Sequence, residues 1–107
     1  MTVLERIMHI EDDPSIQEVA RVALEVVGGF TVRSCDSGAA GVAAADSFAP
    51  QLVLLDVMMP GMDGPQTLVE LRKLPIMQGV PVVFMTAKAQ TQEVTAYRDL
   101  GAAGVII

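Results

Sequence analysis

Short, nearly continuous apolar runs recur along this chain, each followed by a longer amphipathic stretch, and few folds accommodate that alternation. Arg6 to Ile10 reads as a strand ending in the acidic trio Glu11-Asp12-Asp13. Pro14 suits the first turn of a helix that Asp13 could cap. Ile16, Val19, Ala20, Ala23, Leu24 and Val27 then have the spacing of one apolar helix face, closed by Gly28-Gly29. Phe30 to Ser34 is a second strand, and Ser37 to Ser47 a small Ala-rich helix stopped near Pro50. Gln51 to Leu55 is a third apolar run and ends at Asp56. The turn-rich loop Met59-Pro60-Gly61-Met62-Asp63-Gly64 leads into a helix from about Pro65 to Lys73. Val80 to Met85 is a fourth strand ending at Thr86, a helix from about Gln90 to Leu100 stops at Gly101, and Gly104 to Ile107 is a fifth strand.

The order is β-α repeated, with a helix after the fifth strand absent from this chain. Apolar strands alternating with helices imply an α/β domain whose parallel sheet is covered on both faces. Right-handed crossovers leave few topologies, and a doubly wound five-stranded sheet of order 2-1-3-4-5 is the expected one. In such a sheet every strand's C-terminal end lies on the same edge, where ligands bind. Glu11 and Asp12 follow the first strand, Asp56 the third and Thr86 the fourth. The first and third strands are neighbours at the switch point, so these residues are expected to meet in one shallow pocket.

Bulk properties narrow the function. A chain of 107 residues is expected to form one domain over 1–107. Its residues are 51% apolar but only 4% aromatic, so the core should be aliphatic, with Met filling gaps. A net charge of −6 argues against direct nucleic-acid binding, which needs clustered Lys and Arg. Cys35 is the only cysteine, which excludes an internal disulfide and a Cys-rich metal site and fits a reducing compartment. No apolar stretch approaches the ~18 residues of a membrane span, and the N-terminus lacks the apolar core of a secretion signal. The expectation is a cytoplasmic protein with no membrane contact.

Three carboxylates brought together repel one another unless a cation or protons compensate. Glu11, Asp12 and Asp56 offer hard oxygen ligands, which suit Mg²⁺. Asp12 and Asp56 are assigned as direct ligands, Glu11 as a ligand through water, and the Met58 backbone carbonyl as the remaining protein donor. One oxygen of Asp56 is then free to attack phosphorus and form an acyl phosphate. Thr86 can donate its hydroxyl to a phosphoryl oxygen, and Ala87 is small enough to leave access open.

The pair Glu11-Asp12, the stretch Asp56-Val57-Met58-Met59-Pro60-Gly61-Met62-Asp63-Gly64 and the pair Thr86-Ala87 resemble the signature of response-regulator receiver domains, over the whole chain. The resemblance implies a flavodoxin-like, chemotaxis-regulator-like fold and phosphotransfer to Asp56 from a histidine kinase or a phosphotransfer protein. It implies a phosphoacceptor signalling domain rather than an enzyme, catalysing only its own phosphorylation and dephosphorylation. It also implies that Thr86 turns inward and that the surface of strand 4, helix 4 and strand 5 then changes its partner preference. Family members carry a lysine directly after the fifth strand, often followed by proline. The chain stops at Ile107 where that residue would come next, and Lys88 does not stand in its place. Continuation into Lys-Pro, a helix and an output domain is the expectation, and homodimerisation through the fourth-helix face stays open.

Other readings compete. A pseudo-receiver would keep the fold as an interaction module without phosphotransfer. A magnesium-dependent phosphatase of related fold would need an acid two residues after its nucleophile, and Met58 stands there. Asp13 is read as a helix cap, Asp63 as a turn former, His9 as a strand residue without catalytic duty, and Cys35 as inert.

Overall fold

The computed structural model describes residues 3–86 and 91–107. Five parallel strands, β1 (Arg6–Ile10), β2 (Thr31–Cys35), β3 (Leu52–Asp56), β4 (Val82–Met85) and β5 (Gly104–Ile106), form one sheet in the order β2-β1-β3-β4-β5. The helices between them are α1 (Pro14–Arg21), α2 (Gly38–Phe48), α3 (Gly64–Arg72) and α4 (Thr91–Asp99). The doubly wound order expected from the strand–helix alternation is therefore the order observed.

Alternation along the strands sorts side chains to two faces. Met8, Ile10, Val53, Leu55, Val82 and Phe84 are buried, and they join Ala44, Ala45, Leu68 and Leu71 of α2 and α3 in one core. Close approach makes this possible. A Cβ on Gly41 would collide with the Ile10 side chain, so glycine lets α2 lie directly on β1. Met8, Met59 and Met77 are buried as the expected filler, whereas Met58 is 79% exposed.

The opposite face differs from expectation. Ile7 and His9 are fully covered, but Leu54, Val83 and Met85 are only half-buried. The apolar stripe of the first helix does not bury as its spacing predicts, since Ile16, Val19 and Val27 are exposed. Of that stripe Ala20 and Leu24 are half-buried, together with the polar Gln17, Arg21 and Glu25. The rotation has a polar cause, because the Gln17 side-chain amide donates to the carbonyls of Glu11 and Cys35. The helix also relaxes into a π-helical turn over Val22–Val27 before Gly28.

Element ends follow local chemistry. Asp13 accepts from the N–H groups of Ser15 and Ile16, the cap its position promises. β4 starts at Val82 rather than Val80, because Pro81 has no N–H and the Val80 N–H donates to the Met77 carbonyl, in the turn that follows the 3₁₀ helix Pro75–Met77. β2 and β3 each sit one residue later than the apolar runs suggest, which makes Cys35 and Asp56 the last residues of their strands. Among the described residues, no helix is long and apolar enough to cross a membrane.

Candidate functional site

β1 and β3 pair in register up to Ile10 and Leu55, so the next residues, Glu11 and Asp56, emerge side by side at the C-terminal edge. Asp12 follows in the turn before α1. Glu11, Asp12 and Asp56 each offer a carboxylate oxygen, and these oxygens lie within 4.8 Å of one another. The pocket inferred from strand polarity thus brings the adjacent pair Glu11-Asp12 to Asp56, 44 residues beyond Asp12 in the chain.

The electrostatics are those of uncompensated acids. Glu11 is 4% exposed, and its Oε1 accepts from the Asp13 N–H at 3.1 Å. Burial pushes its carboxyl up to about 7, the charges of Asp56 and Asp12 push the same way, and the Asp13 N–H only partly offsets them. Asp56 is also raised, chiefly by burial and in part by Asp12, while a proton shared from Glu11 and the Met58 and Val57 N–H groups favour its charged form. Both shifts run in the direction that favours protonation over a cluster of bare charges.

The loop after Asp56 is fixed from both ends. Val57 donates to the Met85 carbonyl at 3.2 Å, and Gly64 donates to the Val57 carbonyl at 2.8 Å. A Cβ on Gly64 would lie 2.5 Å from the Asp56 carbonyl oxygen and 2.8 Å from the Val57 Cα, so only glycine fits where α3 begins. Asp63 caps that helix with a reciprocal capping box to Gln66, which is more than the turn-forming role its place beside Gly64 suggests. Thr86 stands at the end of β4, its N–H donating to the Ile106 carbonyl at 2.9 Å. Ala87 and Lys88 lie outside the described residues.

Sequence reasoning passed over two contributors. Gln17 braces the backbone of Glu11, and the only hint was a polar residue one position from an apolar stripe. Tyr97 of α4 joins Val57, Met58, Met59, Pro60, Gly61, Asp63 and Pro65 around a groove beside the acids, and nothing near it in sequence marks that role. His9 is fully buried with neither ring nitrogen hydrogen-bonded, and burial lowers its pKa, so it is neutral and structural.

Comparison with known proteins agrees with this geometry. The response regulator receiver domain model matches residues 7–107. The chain is 37% identical over 101 residues to the DNA-binding response regulator MtrA of Mycolicibacterium smegmatis, covering 94% of this chain and 42% of that protein. It is 35% identical over 97 residues to the DNA-binding dual master transcriptional regulator RpaA of Synechocystis, covering 91% of this chain and 40% of the relative. It therefore spans about two fifths of the length of these relatives. Among solved structures, the N-terminal domain of a response regulator receiver protein from Methanoculleus marisnigri superposes with a TM-score of 0.86 at 33% identity, over 97% of this chain and 84% of that one. Vibrio cholerae chemotaxis protein CheY4, at 20% identity, shares the fold with a TM-score of 0.92 over 98% of this chain and 87% of its own. None of these findings supports a module that keeps the fold without phosphotransfer. An acidic pocket at the switch point of a 2-1-3-4-5 sheet and a family match running to the last residue converge, and the chain belongs to the receiver-domain family of two-component response regulators.

Proposed function

We propose that this domain accepts a phosphoryl group on Asp56 and thereby changes which surface it offers to a partner. The observation that carries this reading is the convergence of Glu11, Asp12 and Asp56 within 4.8 Å at the end of β3. That donor set is hard, anionic and uncompensated, which fits Mg²⁺. Asp12 and Asp56 would hold the ion directly, Glu11 through water, and the Met58 carbonyl would add a neutral oxygen. When bound, Mg²⁺ supplies charge compensation for the incoming phosphoryl group.

The chain's own part is positioning. An Asp56 oxygen attacks phosphorus, the P–N bond of a phosphohistidine breaks, and its imidazole departs, leaving an acyl phosphate. The Met58 and Val57 N–H groups stabilise the charged carboxylate that must attack. The Thr86 hydroxyl donates to a phosphoryl oxygen, and the small Ala87 leaves the donor room to approach. The domain turns over no external substrate. Its donor is a histidine kinase or phosphotransfer protein in the cytoplasm. The relatives named as DNA-binding regulators support an output domain C-terminal to Ile107, since the receiver region itself carries a net charge of −6.

Acetyl phosphate with Mg²⁺ should add one phosphate by intact-mass measurement, and Asp56→Asn should abolish the adduct. A wild-type chain that stays unmodified, or an Asp56→Asn chain that is modified equally, would overturn the assignment.

A further inference from the structure

The turn between β2 and α2 touches both halves of the acid pocket. On one side the Glu11 N–H donates to the Cys35 carbonyl at 2.9 Å, and the Gln17 amide reaches the same carbonyl. Ser37 then caps α2, its Oγ accepting from the Ala40 N–H at 3.0 Å, and Gly38 opens the helix. On the other side Gly38 is buried against Met62, in the loop after Asp56, and against Thr67 of α3.

Nothing in the backbone calls for glycine at position 38. Its φ is not among the positive ones, and alanine there would favour the helix. Space calls for it instead. A Cβ on Gly38 would overlap Thr67 Oγ1 and come within 3.2 Å of Met62 Sδ and 3.3 Å of Met62 Cβ. Thr67 is fully buried, and its hydroxyl donates to the Asp63 carbonyl at 2.7 Å. Asp63 and Gly64 start α3, and Gly64 is packed on the Asp56 carbonyl and the Val57 Cα. A continuous set of contacts thus runs from the Glu11 backbone through Cys35 and Gly38 to Thr67, Gly64 and the backbone of Asp56.

We propose that Gly38 is a positioning residue for Mg²⁺: lacking a side chain, it sets how closely the Glu11-Asp12 half of the pocket and the loop after Asp56 approach, and so how tightly the pocket holds the ion. Gly38 contributes no ligand itself. A side chain in its place pushes Thr67 and Met62, and a close-packed interior passes that push to Gly64 rather than absorbing it. The inference deepens the phosphoacceptor reading and rests on its magnesium site.

Titration calorimetry of the chain with magnesium chloride reads the affinity directly, apart from any labelling of Asp56. Gly38→Ala should weaken Mg²⁺ binding about fivefold or more, approaching the ~10–100-fold lost with a hydrogen-bond partner of a metal ligand. Thr67→Ala removes the oxygen that the new Cβ overlaps. In that background Gly38→Ala should change the affinity by less than about twofold, as two residues acting through one contact do. Ala45→Gly, at a fully buried position further along α2, should lower the urea midpoint yet leave the affinity within about twofold of wild type. A Gly38→Ala chain that is less stable but binds Mg²⁺ as wild type does would overturn the inference and leave the magnesium site standing. An equal loss of affinity in Ala45→Gly would do the same. Should Gly38→Ala fail to fold, Met62→Ala decides the matter, because it withdraws the loop's side chain from Gly38. It should weaken Mg²⁺ binding about threefold, with Met62→Leu restoring it, and an unchanged affinity would overturn the inference. A wild-type chain that takes up no Mg²⁺ would remove the magnesium site and this inference together.

Discussion

At Glu11 burial, and after it the charges of Asp56 and Asp12, act on one side chain. Its carboxyl titrates near 7 in the folded chain, against an ordinary value of 4.5. Between those values the native state binds a proton that the unfolded chain has already released, so the metal-free domain loses stability as pH rises through that window. The loss should be on the order of 1–2 kcal/mol once solvent screening is allowed for. Glu11→Gln keeps a donor toward Asp56 but cannot titrate. Urea denaturation of the metal-free variant from pH 5 to 8 should therefore show a distinctly flatter profile than wild type. Magnesium affinity should fall about tenfold, the lower end of what an outer coordination contact contributes. An equal pH slope in the variant would assign the titration to another group.

Two elements frame the acceptor loop, and their boundaries show what residue patterns reveal. α3 begins at Gly64 behind a capping box between Asp63 and Gln66. Asp63→Ala should cost about 1 kcal/mol in denaturant titration, the usual value of an N-cap. Gly64→Ala should cost more, roughly 2 kcal/mol or above, because its Cβ would lie 2.5 Å from the Asp56 carbonyl. That variant should also slow labelling of Asp56. Strand order and the meeting of Glu11, Asp12 and Asp56 were legible because short continuous apolar runs and handed crossovers fix which strand ends share an edge. The orientation of α1 was not legible. Ile16, Val19 and Val27 have helical spacing, but that spacing cannot say which side meets the sheet when Gln17 has two backbone carbonyls to satisfy. Tyr97 escaped for the same reason, since Phe84 is brought to it only by tertiary packing.

For the molecule as a whole, net charge and site charge act on different length scales. A charge of −6 spread over the surface is damped by ordinary salt, whose screening length is about 8 Å at 0.15 M. The three carboxylate oxygens lie within 4.8 Å, inside that length, so monovalent salt relieves their repulsion poorly. A divalent cation that binds the folded pocket and not the unfolded chain stabilises the fold by mass action, about 2.7 kcal/mol at a hundred times its dissociation constant. For a domain of this size that corresponds to roughly 10 °C or more in Tm. Protonated Glu11 opposes binding, because a raised carboxyl must give up its proton before the pocket carries its full charge. Thermal unfolding should thus show a larger Mg²⁺ shift at pH 8 than at pH 5.5, with uptake of the ion releasing protons near pH 7. Sodium chloride at matched ionic strength should leave most of the shift unreproduced. A shift that is equal at both pH values, or is reproduced by sodium chloride, would mean that the stabilisation is general screening and that the acid pocket is not where the ion binds.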